Sequence, residues 1–434
     1  NYTRKIDQHN LAMTGVAEFT GTRYDNIMAK RLYSDLFTND IIDQGTSTTA
    51  SNAGYRSFGR YAAYIGRINY DFAGKYLFEA VARYDGSYRY AKANRWAFFP
   101  SASAGWRLSE EPFIKDHIRA ISNLKLRISY GESGTDAGNA FAYYSAYSAS
   151  ASNGYVFNDG SLTVGMVAPG VVHDRLTWVT AKISNLGIDL GLWDNKLGGS
   201  FELFERRQEG LLASLIQSVP NTFGASFPQE NINSPLNHGF DVSVYHRGKI
   251  GKDFAYNVGA NYTYSRTKEL HVETAGYSSS WDNWRNNNNN RYVGRTGMYE
   301  WEGRFGAIEE YETAPLYGGT AGNSKMLPGS YKLIDLNGDG IISSNDYTYQ
   351  HWNYGAINPP MQFGLTLDGS YKSFDLSLLF QGASGYSVNY RNNDIWGYGR
   401  YPTLHEKYLD RWHPATATRS EEHTSELQSR QSIS

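Results

Sequence analysis

The chain has 434 residues, a formal net charge of −2 and no cysteine. That excludes a disulfide framework, a thiolate nucleophile and a zinc–thiolate site, and with no lysine/arginine cluster it offers no basic surface for nucleic acid. Aromatic residues make up 15% of the chain, and its 44 glycines stand against 12 prolines, a balance that points to strands and turns.

No stretch reaches the roughly 18 apolar residues of a transmembrane helix, which leaves a strand-built crossing open. The chain starts at Asn1 with neither an initiator Met nor a signal peptide, so a natural N-terminus upstream is expected.

In chain order, the first clear alternation runs over 62–72, with Tyr64, Ile68, Tyr70 and Phe72 on one face and Arg67, Asn69 and Asp71 on the other. After "AGK" it resumes over 76–85, where Tyr76, Phe78, Ala80, Ala82 and Tyr84 oppose Leu77, Glu79, Val81, Arg83 and Asp85. Two alternating segments joined by so short a link predict a hairpin with a tight turn. Leu124, Leu126, Ile128 and Tyr130 then oppose Lys125, Arg127 and Ser129. Phe254, Tyr256, Val258, Ala260, Tyr262 and Tyr264 oppose Asn257, Asn261, Thr263 and Ser265, and Phe374, Leu376, Leu378 and Phe380 oppose Asp375, Ser377 and Gln381.

About a dozen such segments are expected, many of roughly 9–12 residues, the length a tilted strand needs to cross a bilayer. A soluble sandwich also alternates, but with shorter strands whose inner faces favour Val, Ile and Leu. Here rings sit at both strand ends, as in the aromatic girdles of outer-membrane barrels. Short links such as "AGK" and "GKIGKD" alternate with long ones, among them 131–175 and about 270–360, as periplasmic turns alternate with external loops. The asparagine run 286–290 belongs in a loop.

Within the last long link, "DLNGDGIISSND" carries the spacing of a twelve-residue calcium loop. Asp335, Asn337 and Asp339 would offer side-chain oxygens, Gly340 the sharp turn, Ile341 its carbonyl, Ser343 a water-mediated contact and Asp346 the closing carboxylate. Carboxylates so concentrated repel one another without a cation; the alternative is an Asx/Gly-rich turn with no ion. The flanks "GSYKLI" and "YTYQHW" do not read as helices, so a structural role is expected rather than a switch.

Loop aromatics Trp281, Trp284, Tyr292, Trp301 and Trp352 could stack on sugar rings or could simply pack the loops together. Enzymatic motifs are missing: the 10 histidines show no H-E-x-x-H, and there is no G-x-S-x-G elbow or P-loop. Glu110 and Glu111, in "SEEPF", read as a solvated pair at a strand end.

Several segments carry more than a period. "RINYDFAGKYLFEAVARYDGSYRYAKANRWAFFPSASAGWRLSEEPF", "LKLRISYGESG", "LTWVTAKISNLGIDLGLWDNKLGGSFELFERRQEGLL", "NHGFDVSVY" and "PGSYKLIDLNGDGIISSNDYTYQ" occur in that order. Together they resemble SusC/RagA-type TonB-dependent outer-membrane transporters of Bacteroidetes, over about residues 5–418. Val179 departs from the acidic residue usual there, and "HWNYGAINPP" from a shorter link.

The resemblance implies an all-β fold, a partial transmembrane antiparallel β-barrel taken from a parent of about 22 strands, without the plug and TonB-contacting parts. It also implies outer-membrane import of glycans or peptides, with a SusD-like surface lipoprotein, TonB complex and lipid bilayer as partners and no covalent chemistry on the cargo. A soluble calcium-bound glycan-binding protein and a non-transporting barrel adhesin are the alternatives. The tail 419–434, "RSEEHTSELQSRQSIS", follows where the pattern breaks off and resembles a translated sequencing adapter, so it is set apart from the barrel domain 1–418.

Overall fold

The computed structural model describes residues 1–386, except 34–40, 158–159, 161, 216–221, 223–226, 275, 296, 318–322, 325, 327 and 350–358, and the side chains of 150–152, 298 and 349. Twelve strands form the path of its fourteen-stranded main sheet: β1 (Tyr2–Ile6), β2 (His9–Lys30), β3 (Ser51–Phe72), β4 (Tyr76–Ser87), β5 (Trp96–Arg107), β6 (Ile121–Thr135), β7 (Val179–Leu192), β8 (Leu197–Glu209), β9 (Gln229–Ile250), β10 (Phe254–His271), β11 (Met361–Tyr371) and β12 (Phe374–Ser384). Each pairs with the next in sequence, and the path from β1 to β12 does not close among the described residues. The result is a curved antiparallel meander, a section of barrel wall.

Links 7–8, 73–75, 108–120, 193–196, 251–253 and 372–373 lie at one end, and 31–50, 88–95, 136–178, 210–228 and 272–360, most of them longer, at the other. In the β3–β4 hairpin the Lys75 amide donates to the Phe72 carbonyl, with Ala73 at φ 58° and Gly74 at φ 69°. Positive φ at both central residues matches the strands' right-handed twist, and glycine at the second position lowers its cost.

The register carries the period-two pattern across the whole sheet. One continuous row reads Tyr76, Trp106, Leu126, Ile188, Phe201, Val242, Tyr262, Phe363; the next row, on the opposite face, reads Leu77, Gly105, Arg127, Gly187, Glu202, Asp241, Thr263, Gln362. Apolar side chains of the first face remain open: Phe78 is 45% exposed, Ile128 59% and Leu378 41%. A sandwich would have buried them under a second sheet. On the other face Arg127 lies 2.8 Å from Glu202 and 3.4 Å from Asp189, charge pairing suited to a wet interior.

The aromatic rings mark two levels. At the short-turn end Tyr76 stacks on Phe72 and Trp106; toward the other end Trp96 stacks between Tyr64 and Tyr84. From Tyr76 to Tyr84 is eight residues, about 26 Å along the strand and about 20 Å across a membrane at ~40° tilt, close to the apolar band of such barrels.

Strand length departs from expectation. β4, β5, β11 and β12 have 12, 12, 11 and 11 residues, but β2, β3 and β9 each have 22. At ~3.3 Å per residue these reach about 70 Å, so they stand well clear of the bilayer on the long-loop side. The segment 131–135, expected in a loop, continues β6.

Conventional core lies outside the band. Tyr90, Phe99, Leu176 and Trp178 cluster where links 88–95 and 136–178 fold onto the inner face. Phe99 meets Trp178 edge-on at 5.6 Å, and the Trp178 indole N–H donates to the Arg95 carbonyl at 3.2 Å. A Cβ on Gly134 would sit 1.9 Å from the Phe99 ring, so the close approach requires glycine. Val179, the departure noted above, is buried here at 4% exposure.

Candidate functional site

The described residues of link 272–360 form their own small core, in which Phe305 and Asp346 are fully buried and Tyr311, Asn323 and Ile342 nearly so. The Asn323 amide organises it, accepting from the Tyr317 N–H and donating to the Pro315 carbonyl at 2.9 and 3.0 Å. Two arms frame the acidic segment 335–346: Tyr331–Leu333 pairs with Trp301–Arg304, and Tyr347–Tyr349 with Gly297–Tyr299. Strands on both sides meet the expectation that no helices flank the segment.

Its carboxylates hold the turn. Asp335 accepts from the N–H groups of Gly338 and Gly340 at 2.8 and 2.7 Å, and both glycines have positive φ. Asp339 accepts from the Ile341 N–H at 2.8 Å and from the Asn337 amide at 2.9 Å. The Ser343 hydroxyl accepts from Asn345 N–H at 3.1 Å. Asp346 accepts from Leu336 N–H at 3.0 Å and Ser343 N–H at 2.8 Å.

Burial raises the Asp335 pKa, but hydrogen bonds from the Gly340, Gly338 and Asp339 N–H groups outweigh it and hold the group below its ordinary value. Asp335 and Asp346 each cap two N–H groups of the turn, whereas Asp339 takes its own neighbours. Among the described residues no group of three His, Cys, Asp or Glu side chains converges as metal ligands do. The oxygen-only donor set and the glycine-permitted turn suit a hard cation in chemistry; convergence would require Asp339 to swing inward.

A short helix, α1 (Ser280–Asn286), docks on this segment. The Trp281 indole donates to the Asn345 carbonyl at 3.0 Å and Arg285 to the Ser344 carbonyl. Trp281 stacks on Trp284 at 5.0 Å, leaving Trp284 53% exposed. Between helix and acidic segment lies a polar cleft of about 370 Å³, lined by Ser278, Ser279, Trp281, Asp282, Arg285, Asn337 and Asn345. Hydrogen bonds from the Ser278 N–H and the Asn286 amide depress the Asp282 pKa.

Sequence reading missed Asp282, Arg285 and Asn345. The Ser279 hydroxyl capping the Asp282 N–H at 3.1 Å was the available signal, since Ser-x-x-Asp before an aromatic residue marks a helix start.

The other aromatic candidates lie apart. Tyr292 bridges to Lys268 at the upper end of β10 under the Arg266 guanidinium, 3.7 Å from its ring centre. Trp301 packs edge-on against Tyr331 at 5.4 Å. Trp352 lies outside the described residues, as does the tail 419–434.

The expected solvated pair Glu110 and Glu111 is corrected. Glu110 does pair with Lys115 near solvent at 2.8 Å. Glu111 is only 8% exposed and accepts from the Tyr76 hydroxyl at 2.7 Å, the Trp106 indole at 3.1 Å and Lys75 at 3.2 Å. It ties link 108–120 to the short-turn aromatic level, because one carboxylate oxygen accepts from both aromatic donors there.

Comparison with known proteins fits this geometry. "TonB-dependent receptor P3" of Formosa agariphila is 28% identical over 400 residues, covering 88% of this chain and 38% of that protein. "TonB-dependent receptor SusC" of Bacteroides thetaiotaomicron is 29% identical over 343 residues, covering 77% and 32%. The chain thus spans about a third of the length of the curated relatives it matches. A solved RagAB peptide transporter superposes with a TM-score of 0.68 at 20% identity, over 89% of this chain and 40% of that one, a likeness of fold. The relatives are named as receptors and transporters rather than enzymes. With the family described as "TonB dependent receptor-like, beta-barrel" matching residues 1–343, this outer-membrane wall section belongs to that family.

Proposed function

We propose that the chain supplies part of the wall and the external loops of a TonB-dependent importer of glycans or peptides. The observation that carries this is the two-faced wall: an open apolar face between two aromatic levels, and a charged inner face crossed by the Arg127, Asp189 and Glu202 network. Only a bilayer-spanning barrel has a use for both. The open face weighs against the soluble glycan-binding alternative, and the SusC and RagAB names favour uptake over adhesion.

On this reading the protein performs no covalent step on its cargo. Energy arrives through TonB, and a SusD-like lipoprotein meets the external loops. The cleft beside Trp281, with its carboxylate, guanidinium and amide groups, suits a sugar or a peptide, and Trp284 offers an open ring. The acidic segment takes calcium from Asp335, Asn337, Asp339, Ile341, Ser343 and Asp346 and so stiffens the cleft wall to which Asn337 and Asn345 belong.

The experiment is uptake of labelled oligosaccharide and labelled peptide by cells expressing the intact gene product, with and without TonB, alongside co-purification of a surface lipoprotein. Import that persists without TonB, or surface attachment with no import of either cargo, overturns the proposal.

A further inference from the structure

Three observations meet at one place on the membrane-facing side of the wall. The first is depth. On β10 the outward positions run Phe254, Tyr256, Val258, Ala260, Tyr262, Tyr264, then Arg266 and Lys268. Tyr256 to Tyr264 is again eight residues, so the two cations begin where the apolar band ends, about 5 and 10 Å above its upper rings at the strand rise and tilt of such barrels.

The second is charge. Among the described residues neither Arg266 nor Lys268 forms an ion pair, although Arg207 and Lys182, farther round the same face, both pair with Glu209. The Arg266 Nε is buried without a hydrogen-bond partner. Glu269, next to Lys268, takes the opposite parity, and on the outward face the row through Arg266 meets its first carboxylate at Glu205, opposite His238.

The third is arrangement. Residues Arg291–Tyr292 continue, beyond Met361, the lane that β11 occupies beside β10, which places Tyr292 opposite Lys268. Its ring lies 3.7 Å from the Arg266 guanidinium, 5.9 Å from the Lys268 ammonium and 5.9 Å from the His238 ring. A stacked guanidinium has its plane fixed while its edge N–H groups stay free to donate.

We propose that Arg266, Lys268, Tyr292 and His238 form a binding site for the phosphate-bearing headgroup of an outer-leaflet lipid. Position selects the ligand: an anion bound here has its acyl chains beside the apolar rows of β9 and β10, while a soluble anion gains nothing from that neighbour. The Arg266 edge and the Lys268 ammonium hold the phosphate, Tyr292 orients the guanidinium, and His238 closes the side toward β8. The site faces away from the barrel interior and is independent of any cargo.

The test is lipid retention by the intact protein in detergent micelles, read by native mass spectrometry with phosphorylated lipid A, dephosphorylated lipid A and inorganic phosphate as probes. Each cation at an anionic lipid surface is worth about fivefold, so Arg266→Gln with Lys268→Gln is expected to weaken phosphorylated lipid A roughly 25-fold, down to the level of the dephosphorylated lipid. Tyr292→Phe should bind as the parent does, and Tyr292→Leu more weakly. Heat-modifiable migration on gels confirms that each variant is folded, and Arg207→Gln, which removes a paired cation from the same face, should leave binding unchanged. Equal retention by the folded double variant, or equal binding of both lipid A forms, overturns the site. Displacement of the lipid by inorganic phosphate at similar concentration overturns its assignment to a lipid.

Discussion

An arginine at Ala80 tests the membrane reading most directly. Ala80 lies on the apolar face of β4, four residues from Tyr76 and four from Tyr84, hence about 10 Å from either aromatic level. At that depth an arginine facing lipid costs about 2–4 kcal/mol, against roughly 0–1 near the interfaces. Ala80→Arg should therefore lower the folding equilibrium constant by a factor of about 30 to several hundred, and Ala82→Arg, nearer the upper rings, by less. Ser103→Arg is the control: Ser103 stands at the same depth on the inner face, in register with Glu79, and should change stability by about 0.5 kcal/mol at most. Equilibrium urea unfolding of the intact protein in phospholipid vesicles measures all three. If Ala80→Arg and Ser103→Arg prove equally tolerated or equally damaging, the two faces see the same surroundings and the wall does not stand in a bilayer.

Other expectations follow from the same geometry. Cysteines at positions 78 and 378 should react with a lipid-phase label, while cysteines at 79 and 377 should not; equal labelling would contradict the assignment of faces. Asp339→Ala should abolish calcium binding measured by titration calorimetry, and an unchanged titration refutes the proposed ligand set. Because the Asp335 pKa is depressed in the fold, its contribution to the turn is present above the ordinary value of 3.8 and lost only as pH falls through the lower folded value. The turn should accordingly persist at pH 5 by amide exchange. Trp178→Ala removes a ring packed against Phe99 and Tyr90 and should cost about 3–5 kcal/mol, seen as faster amide exchange in 88–95 and 136–178 if the cluster holds those links.

The wall was legible because a strand in a membrane has only two environments, so the alternation of Phe78 with Glu79 already separates lipid from interior. Above the upper rings both faces are wet and alternation fades. The stretch from Thr20 to Lys30 carries Thr22, Arg23 and Asp25, yet it stays extended because it remains paired residue by residue down to Lys30 opposite Ser51. Backbone pairing, not side-chain pattern, sets those lengths, and a pattern search stops short. The burial of Glu111 was equally hidden, since of its partners only Trp106 is near in sequence, while Tyr76 and Lys75 stand 35 and 36 positions away.

The acidic segment shows how far local spacing can go. Its turn follows from residues within twelve positions: carboxylates cap N–H groups, and Gly338 and Gly340 take the left-handed conformations that a side chain would strain. Its surroundings do not follow from spacing, because the arms 297–304 and the helix α1 come from well upstream and meet it only through the fold. Those long-range contacts give the segment consequence. With Ser344 and Asn345 held by Arg285 and Trp281, any inward swing of Asp339 that draws the carboxylates together must also shift Asn337, which shares a hydrogen bond with Asp339 and lines the cleft. A cation bound in the turn would thus fix the cleft wall through Asn337, without any hinge elsewhere in the wall.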